Sequence, residues 1–344
     1  MLRPYNFPYS KIQKVQSFVN HVMLDVVFNT NNITRSSFSS NLVLPKYRSL
    51  IVKTDNKYIH TPLNKAFKIC KGLKREQIKL LKTAVHNNNK IRELCNGDIQ
   101  PVSYDQIEAI NVDLKKALKK FCDSLYDHCI KLQPFYSTYE NINTYYKTVV
   151  KRSSVCRCCG INKILTQYHT HRSALDHYLP RKHYPFNSLN FKNLIPICDT
   201  CNSKYKLSKD TLYITHNKGK KNQYKSRTVA FYPYSKTIHE IEIDIKFNKT
   251  FDSTIEPKDI DITLTCPGNK DKVASWDRIF EIKENYKAEC CTDEMRMHYE
   301  EQYIADKNFG QSHEQYIEKL KRNKYGDTNF LKIPFLEAIH SGVK

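Results

Sequence analysis

The stretch of sequence that decides the fold lies between residues 156 and 206 and contains three motifs: CRCCG at 156–160, LDHYLP at 175–180 and NLIPICDTCNSKYK at 193–206. The cysteines of the first and third motifs form two CxxC pairs, Cys156/Cys159 and Cys198/Cys201. A CxxC turn presents both thiolates to one ion, and two such turns complete a closed tetrahedral Zn²⁺ site. We therefore expect a structural zinc ion to join the two ends of this segment.

The segment between the two cysteine pairs is long enough for a β-hairpin. Asp176 and His177 are neighbours in a strand-like run that ends at Pro180, and Asn193 opens the returning strand. Since neighbours on a strand point to opposite faces, Asp176 and His177 are expected to have different roles. A helix should begin at the second cysteine pair, with Asn202 in its first turn.

These polar side chains match the requirements of phosphodiester hydrolysis. A carboxylate and an amide, here Asp176 and Asn202, are oxygen ligands that suit Mg²⁺ or Mn²⁺ rather than a second zinc ion. Such a metal ion polarises the scissile phosphate and stabilises the leaving oxygen. An imidazole such as His177, with an ordinary pKa of about 6.5, deprotonates water near neutral pH.

The combination resembles the HNH endonuclease family, specifically its four-cysteine subtype with the ββα-metal fold. The resemblance covers roughly 55 of the 344 residues. It implies that His177 is the general base and that Asp176 and Asn202 coordinate the catalytic Mg²⁺. It also implies that Asn193 steadies the metal-binding loop and His177 through hydrogen bonds.

The runs LYDHCIKL at 125–132 and YYKTVVKRSS at 145–154, together with DHYLPRKHYPF at 176–186, resemble HNH proteins of bacterial anti-phage systems. That resemblance implies a defence effector with a regulatory ATPase or another defence protein as partner. The alternatives are a restriction or mobile-element (homing-type) HNH nuclease and, from another class, a catalytically silent zinc-stapled module that binds nucleic acid.

The charge of the chain favours a polyanionic partner. The net charge is +21, of which residues 1–250 carry +25 and residues 251–344 carry −4. A basic surface binds nucleic acid by releasing condensed counterions, so DNA is the expected partner and RNA is also compatible. A lysine-rich solvated surface is the simpler alternative. The candidates for phosphate contacts near the hairpin are Arg181, Lys182, His183 and Lys204.

Length and composition indicate an α+β protein of several regions. We expect a mostly helical region at 1–150, the ββα-metal unit with its zinc site at 151–210 and an α+β region at 211–344. No apolar run has the length of a membrane span, and the first residues lack the apolar stretch of a secretory signal. A cytoplasmic protein is therefore expected, with the other eight cysteines as free thiols.

Hydrophobic periodicity predicts the elements outside the motifs. Helices are expected at 12–27, from Thr61 with a break at Gly72 and a second helix to Val85, at 107–132, from a Ser137/Glu140 capping box, from Ser275 and at 312–324. Strands or extended segments are expected at 42–44, 50–52, 229–232, 240–246 and 259–265.

Overall fold

The computed structural model describes residues 1–151, 153–218 and 222–342, and its architecture is α+β. The α-helices are α1 (Val15–His21), α2 (Pro45–Val52), α3 (His60–Cys70), α4 (Arg75–Asn88), α5 (Ile91–Asn96), α6 (Tyr104–Ile110), α7 (Val112–Asp127), α8 (Gln133–Thr138), α9 (Ile142–Val149), α10 (Lys270–Phe280), α11 (Ile282–Cys290), α12 (Asp293–Met297), α13 (Ile304–Asn308), α14 (His313–Lys321) and α15 (Asn329–Gly342). The strands are β1 (Ala174–His177), β2 (Leu194–Ile197), β3 (Tyr213–Lys218), β4 (Asn222–Arg227), β5 (Glu242–Phe247) and β6 (Ile260–Thr265).

Shorter helical turns connect these elements. The 3₁₀ turns are Lys11–Lys14, Val27–Asn32, Ser40–Leu42, Cys129–Lys131, Phe191–Asn193 and Pro257–Asp259. The π-helical segments are Val22–Val26, Thr200–Lys206 and His298–Tyr303. The strands pair as three antiparallel hairpins, β1–β2, β3–β4 and β5–β6.

The helical region before residue 150 follows its apolar periodicity. Leu114, Leu118 and Phe121 lie on one face of α7 and are fully buried. Helix α7 packs against α3. The predicted helices after Thr61 and up to Val85 are confirmed as α3 and α4, and the predicted helix at 12–27 is present as α1 with the helical turns on either side of it.

Of the two short segments expected in this region, one is extended in part and one is helical. Val43 has an extended backbone, although a 3₁₀ turn ends at Leu42. The prediction for 50–52 is wrong, because α2 runs from Pro45 to Val52. Pro45 occupies the first turn of α2, where a missing N–H costs no hydrogen bond. Leu50 and Ile51 are buried from a helix face, because a short apolar run fits a buried helix face as well as a strand.

Two asparagine residues cap helices at positions that the apolar periodicity does not predict. The predicted helix at 107–132 is interrupted at Asn111, whose extended backbone and side-chain bond to the Leu114 N–H (2.8 Å) begin α7. The Ser137/Glu140 capping box is wrong. Ser137 lies inside α8, where its hydroxyl donates to Gln133 O, and Asn141 caps α9 instead.

The region after residue 211 confirms the alternating strands. β5 and β6 pair in the register that places Ile245 opposite Ile262, and both side chains are buried. The predicted helices from Ser275 and at 312–324 are present as α10 and α14. Residues 229–232 form no strand; Ala230 donates one hydrogen bond to Cys95 O (2.9 Å), and this apolar run packs without a sheet partner.

The β1–β2 hairpin lies near the middle of the sequence and contributes buried side chains to the core. Asp176 is paired with Ile195 and His177 with Leu194, and the Thr200–Lys206 helix follows β2 directly. Buried side chains from all parts of the chain form one cluster around it. The division into regions 1–150, 151–210 and 211–344 stays a prediction. Across the described residues, no helix combines the length and the apolar character needed to cross a membrane.

Candidate functional site

Four buried cysteines meet beside the hairpin. The Sγ atoms of Cys156, Cys159, Cys198 and Cys201 all lie within 4.8 Å of one another, and those of Cys159 and Cys198 are 4.0 Å apart. Thiolates on a tetrahedral Zn²⁺, with Zn–S bonds of about 2.3 Å, lie roughly 3.8 Å apart. This cluster can therefore hold a structural metal ion such as zinc, as the two CxxC pairs predict.

The first cysteine turn depends on a glycine. Gly160 has a φ of +81° and donates its N–H to Cys156 O (2.8 Å), which closes the turn. A Cβ at residue 160 would collide with Leu2 and would lie 2.8 Å from the ring of Phe330. Both the left-handed backbone and the close approach of these side chains require glycine here.

Side chains from the C-terminal region fix this turn from outside. Trp276 donates its indole N–H to Cys158 O (2.8 Å), and Tyr286 donates its hydroxyl to Cys159 O (2.7 Å). Cys158 is itself fully buried and lies outside the group of four. The second cysteine turn is closed by the N–H of Cys201, which lies 3.4 Å from Cys198 Sγ.

His177 is buried with a defined tautomer. Its Nε2 lies 2.9 Å from Ser188 O, and since a carbonyl can only accept, Nε2 carries the hydrogen. The neutral ring then has its lone pair on Nδ1, which makes no hydrogen bond to the described residues. Burial lowers the pKa of His177 to about 3, so the imidazole is neutral at physiological pH.

The end of α7 covers this imidazole. The ring of Tyr126 stands edge-on to His177 with centroids 4.4 Å apart, and its hydroxyl donates to Leu175 O (2.7 Å). Arg181 lies over the other part of the Tyr126 ring, 5.3 Å from its centroid. Tyr126 and the end of α7 therefore restrict the approach to His177, which is 6% exposed.

Asp176 is paired with a buried lysine. Lys206 is only 1% exposed, and its Nζ lies 2.8 Å from Asp176 Oδ2 and donates to His177 O at 2.8 Å. The contact with Oδ2 has the distance of an ion pair but not the angles of a hydrogen bond, so Oδ2 accepts none. Burial raises the pKa of Asp176, although the Lys206 charge opposes that shift.

Asn193 ties the two strands of the hairpin together beyond their last pair. It is fully buried, its Nδ2 donates to Leu179 O (3.0 Å), and its Oδ1 accepts from the Leu179 N–H (2.7 Å). The Tyr178 N–H also donates to Asn193 O at 2.8 Å. Asn193 thus holds the chain that leaves β1 immediately after His177.

Asn202 lies one helical turn before Lys206, on the face of the helix that reaches β1 through Lys206. Its amide nitrogen lies 3.5 Å from Ser203 Oγ, and its Oδ1 has no hydrogen-bond partner in the described part of the chain. Asp176 Oδ2 and Asn202 Oδ1 are hard oxygen donors without hydrogen bonds, so they fit Mg²⁺ or Mn²⁺ in kind. Lys206 competes for the Asp176 oxygen.

The four candidates for phosphate contacts have different surroundings. Arg181 is ion-paired with Asp127 (2.9 Å) and lies 3.6 Å from Asp123, so its charge is already balanced. His183 donates Nε2 to Ser208 O at 2.9 Å. Lys182 and Lys204 are exposed. Of these side chains, Lys182 and Lys204 are the ones free to reach a phosphate without breaking a described contact.

Sequence reasoning missed three participants in this site. Lys206 carried a signal, because it follows Asn202 by four residues and so shares its helix face. Tyr126 and Ser188 carried none, since one comes from α7 and the other from the loop between the strands. Comparison with known protein families, with curated proteins and with solved structures gives no match to this chain.

Proposed function

We propose that this chain is a metal-dependent endonuclease of the HNH type, which hydrolyses phosphodiester bonds of DNA with His177 as general base. The observation that carries the proposal is the tautomer of His177, whose Nε2–H is held by Ser188 O while Nδ1 keeps a free lone pair. A histidine whose second nitrogen is fixed by a carbonyl is oriented for proton transfer through the first.

In the proposed reaction, Nδ1 of His177 takes a proton from a water molecule as its oxygen bonds to phosphorus. The bond from phosphorus to the 3′ oxygen breaks, which leaves a 5′ phosphate. Because burial is the main cause of the lowered pKa, opening the Tyr126 cover returns the pKa of His177 toward its ordinary value and strengthens it as a base. Asn193 keeps the imidazole in place by fixing Leu179.

Asp176 and Asn202 would hold the divalent ion. When no ion is bound, Lys206 supplies the positive charge beside Asp176. When bound, Mg²⁺ supplies Lewis acidity at the phosphate and stabilises charge on the leaving oxygen. Lys206 must release or share Oδ2 as the cation binds, since its Nζ lies 2.8 Å from that atom. The structural zinc ion would keep the helix that carries Asn202 against the hairpin.

A second candidate is a catalytically silent module that binds nucleic acid through its zinc-stapled unit. The specific observation in its favour is the buried Lys206–Asp176 pair, which neutralises the carboxylate without any metal ion. The cover of Tyr126 over His177 points the same way. Both candidates predict duplex binding, and only the nuclease predicts strand cleavage.

The decisive experiment is cleavage of supercoiled plasmid by the zinc-loaded chain with Mg²⁺ or Mn²⁺. We expect His177→Ala to lower the rate by about 10²–10⁴-fold, because a general base contributes about that much. Binding of duplex DNA should be unchanged.

The matched control is His171→Ala, which removes an exposed histidine just before β1. This variant should cleave at the parental rate. Equal cleavage by His177→Ala and the parent would refute the role of His177, and duplex binding without cleavage under any divalent ion would favour the silent module.

A further inference from the structure

A groove on the far side of the first cysteine turn has no part in the proposed chemistry. Its volume is about 730 Å³, which is within the range of roughly 300–1,000 Å³ typical of small-molecule sites. It is formed by the N-terminal segment, the first cysteine turn and the loop before β5, with cationic side chains Arg3, Arg157 and Lys236 and aromatic or apolar side chains Tyr5, Phe7, Tyr234 and Ile238.

The charge of this groove is unbalanced. No carboxylate lines it, and none lies within 4.0 Å of Arg3, Arg157 or Lys236 in the described chain. Burial lowers the pKa of Arg157, and the neighbouring Arg3 acts in the same direction. Elsewhere in the site region a half-buried cation has acidic partners, as Arg181 has in Asp127 and Asp123. An anion in the groove would relieve this repulsion.

The aromatic side chains of the groove are held in fixed positions. The Tyr5 hydroxyl donates to Pro196 O (2.7 Å) and accepts from the Arg157 N–H (3.2 Å). The Tyr234 hydroxyl donates to Leu194 O, and its ring meets Phe7 edge-to-face at 5.0 Å. Their hydroxyls are therefore engaged below the groove and their rings are buried, Tyr5 being 1% and Tyr234 5% exposed. The apolar side chains that a ligand can reach in the groove are Phe7 and Ile238.

A ring held beside several cations forms the combination that recognises a planar base attached to a phosphate. Phe7, which is partly exposed and packed on Tyr234, is that ring here. Arginine binds phosphate through two parallel N–H donors. The guanidinium groups of Arg3 and Arg157 each lie over a tyrosine ring, at 4.4 Å from Tyr325 and 5.2 Å from Tyr5. Arg157 donates Nη1 to Pro4 O, so its Nε and Nη2 are the donors that remain for a phosphate. Ile238 adds an exposed apolar side chain at the rim, 57% accessible.

We propose that this groove binds a nucleoside phosphate, either as a free nucleotide or as one unit of a single strand, with its phosphate on Arg3, Arg157 and Lys236. The site is separate from His177 and does not depend on the nuclease proposal. A ligand in the groove would be coupled to the β1–β2 hairpin, because the hydroxyls of Tyr5 and Tyr234 donate to the β2 carbonyls of Pro196 and Leu194.

The test is calorimetric titration of the full zinc-loaded chain with AMP, ATP, adenosine, inorganic phosphate, a short oligothymidylate and a duplex. We expect AMP, ATP or the single strand to bind, and adenosine to bind at least tenfold more weakly than AMP, because a charge-assisted hydrogen bond contributes about 1.5–3 kcal/mol. Binding by AMP but not by the strand identifies a free nucleotide as the ligand. The reverse identifies a single strand.

Lys236→Ala is the main variant, because Lys236 is exposed and its loss leaves the fold intact. It should weaken AMP or strand binding about tenfold, while Lys258→Ala, which removes an exposed lysine outside the groove, should not. Arg157→Ala, checked by thermal unfolding, should weaken it at least as much. His177→Ala should bind like the parent, which separates this site from cleavage.

Two results would overturn the proposal. One is the absence of any binding by AMP, ATP and the single strand to the parent chain. The other is equal affinity of the parent and Lys236→Ala for the ligand that binds.

Discussion

The 156–206 segment forms two clusters of polar side chains, called here the cysteine end and the polar end, which differ in how their buried groups are paired. At the cysteine end, defined as Cys156, Cys159, Cys198 and Cys201, four identical ligands converge on one point. At the polar end, defined as Asp176, His177, Asn202 and Lys206, the groups are unlike one another: Asp176, His177 and Lys206 are paired with each other or with main-chain carbonyls, and Asn202 Oδ1 has no partner in the described chain. The first arrangement fits one thiophilic ion such as zinc, whereas the second offers oxygen donors of the kind that a hard cation prefers.

The largest effect should come from breaking the cysteine end. Cys198→Ser removes one of four thiolates, and structural zinc contributes about 10–16 kcal/mol of apparent binding free energy that is coupled to folding. We expect loss of stoichiometric zinc and a much lower melting temperature, measured by metal analysis and calorimetry. Cys291→Ser, at a partly exposed free thiol, is the control and should retain both. Full zinc content in Cys198→Ser would contradict the four-cysteine site.

A smaller effect tests whether the polar end is held by its ion pair. Lys206→Ala leaves the Asp176 carboxylate buried and unpaired, which typically costs about 3–5 kcal/mol in the free energy of unfolding. Lys204→Ala, at an exposed lysine of the same helix, should cost less than about 0.5 kcal/mol. Denaturant unfolding measures both.

The double variant Lys206→Ala/Asp176→Asn sharpens this test. It removes the unpaired charge as well, so it should recover part of the stability lost in Lys206→Ala. A double variant no more stable than the single one would mean that Lys206 stabilises the chain through packing and not through Asp176.

The smallest effect comes from the pKa of His177, which burial lowers to about 3 from an ordinary value of about 6.5. Between these values the unfolded chain binds a proton that the folded chain does not, so stability falls as pH falls. From pH 7 to pH 5.5 the parent should lose about 1 kcal/mol more than His177→Phe. The zinc site is common to both proteins, so its own pH dependence cancels. Parallel pH profiles would mean that His177 is solvated.

The sequence was most informative where local spacing determines geometry. The CxxC pairs predict the cysteine cluster because each turn is closed within five residues, as Gly160 to Cys156 illustrates. The alternation of apolar and polar residues in 240–246 and 259–265 predicts β5 and β6, because successive side chains of a strand point to opposite faces of the sheet. By contrast, the apolar stripe over 107–132 predicts one continuous helix. The break at Asn111 depends on a single hydrogen bond from the Leu114 N–H to the Asn111 side chain, which the stripe does not reveal.

The polar end was predicted only in part, because its partners come from distant parts of the chain. The residue types of Asp176, His177 and Asn193 indicate polar roles, yet their ion pair and hydrogen bonds involve Lys206, Ser188 and Leu179. The cover by Tyr126 depends on how α7 packs on β1. Likewise, the basic side chain of Arg181 predicts a phosphate contact, whereas its partner in the structure is Asp127. Such pairings depend on tertiary structure, which spacing does not encode.

The central claim is that Asp176 and Asn202 act together on one divalent cation beside His177. Titration of the zinc-loaded chain with Mn²⁺, followed by electron paramagnetic resonance, tests it most directly because the readout does not depend on catalysis. We expect one site per chain, weakened at least tenfold in both Asp176→Asn and Asn202→Ala and unchanged in Lys204→Ala. Unchanged Mn²⁺ affinity in either of the first two variants, or no binding by the parent, would contradict the claim.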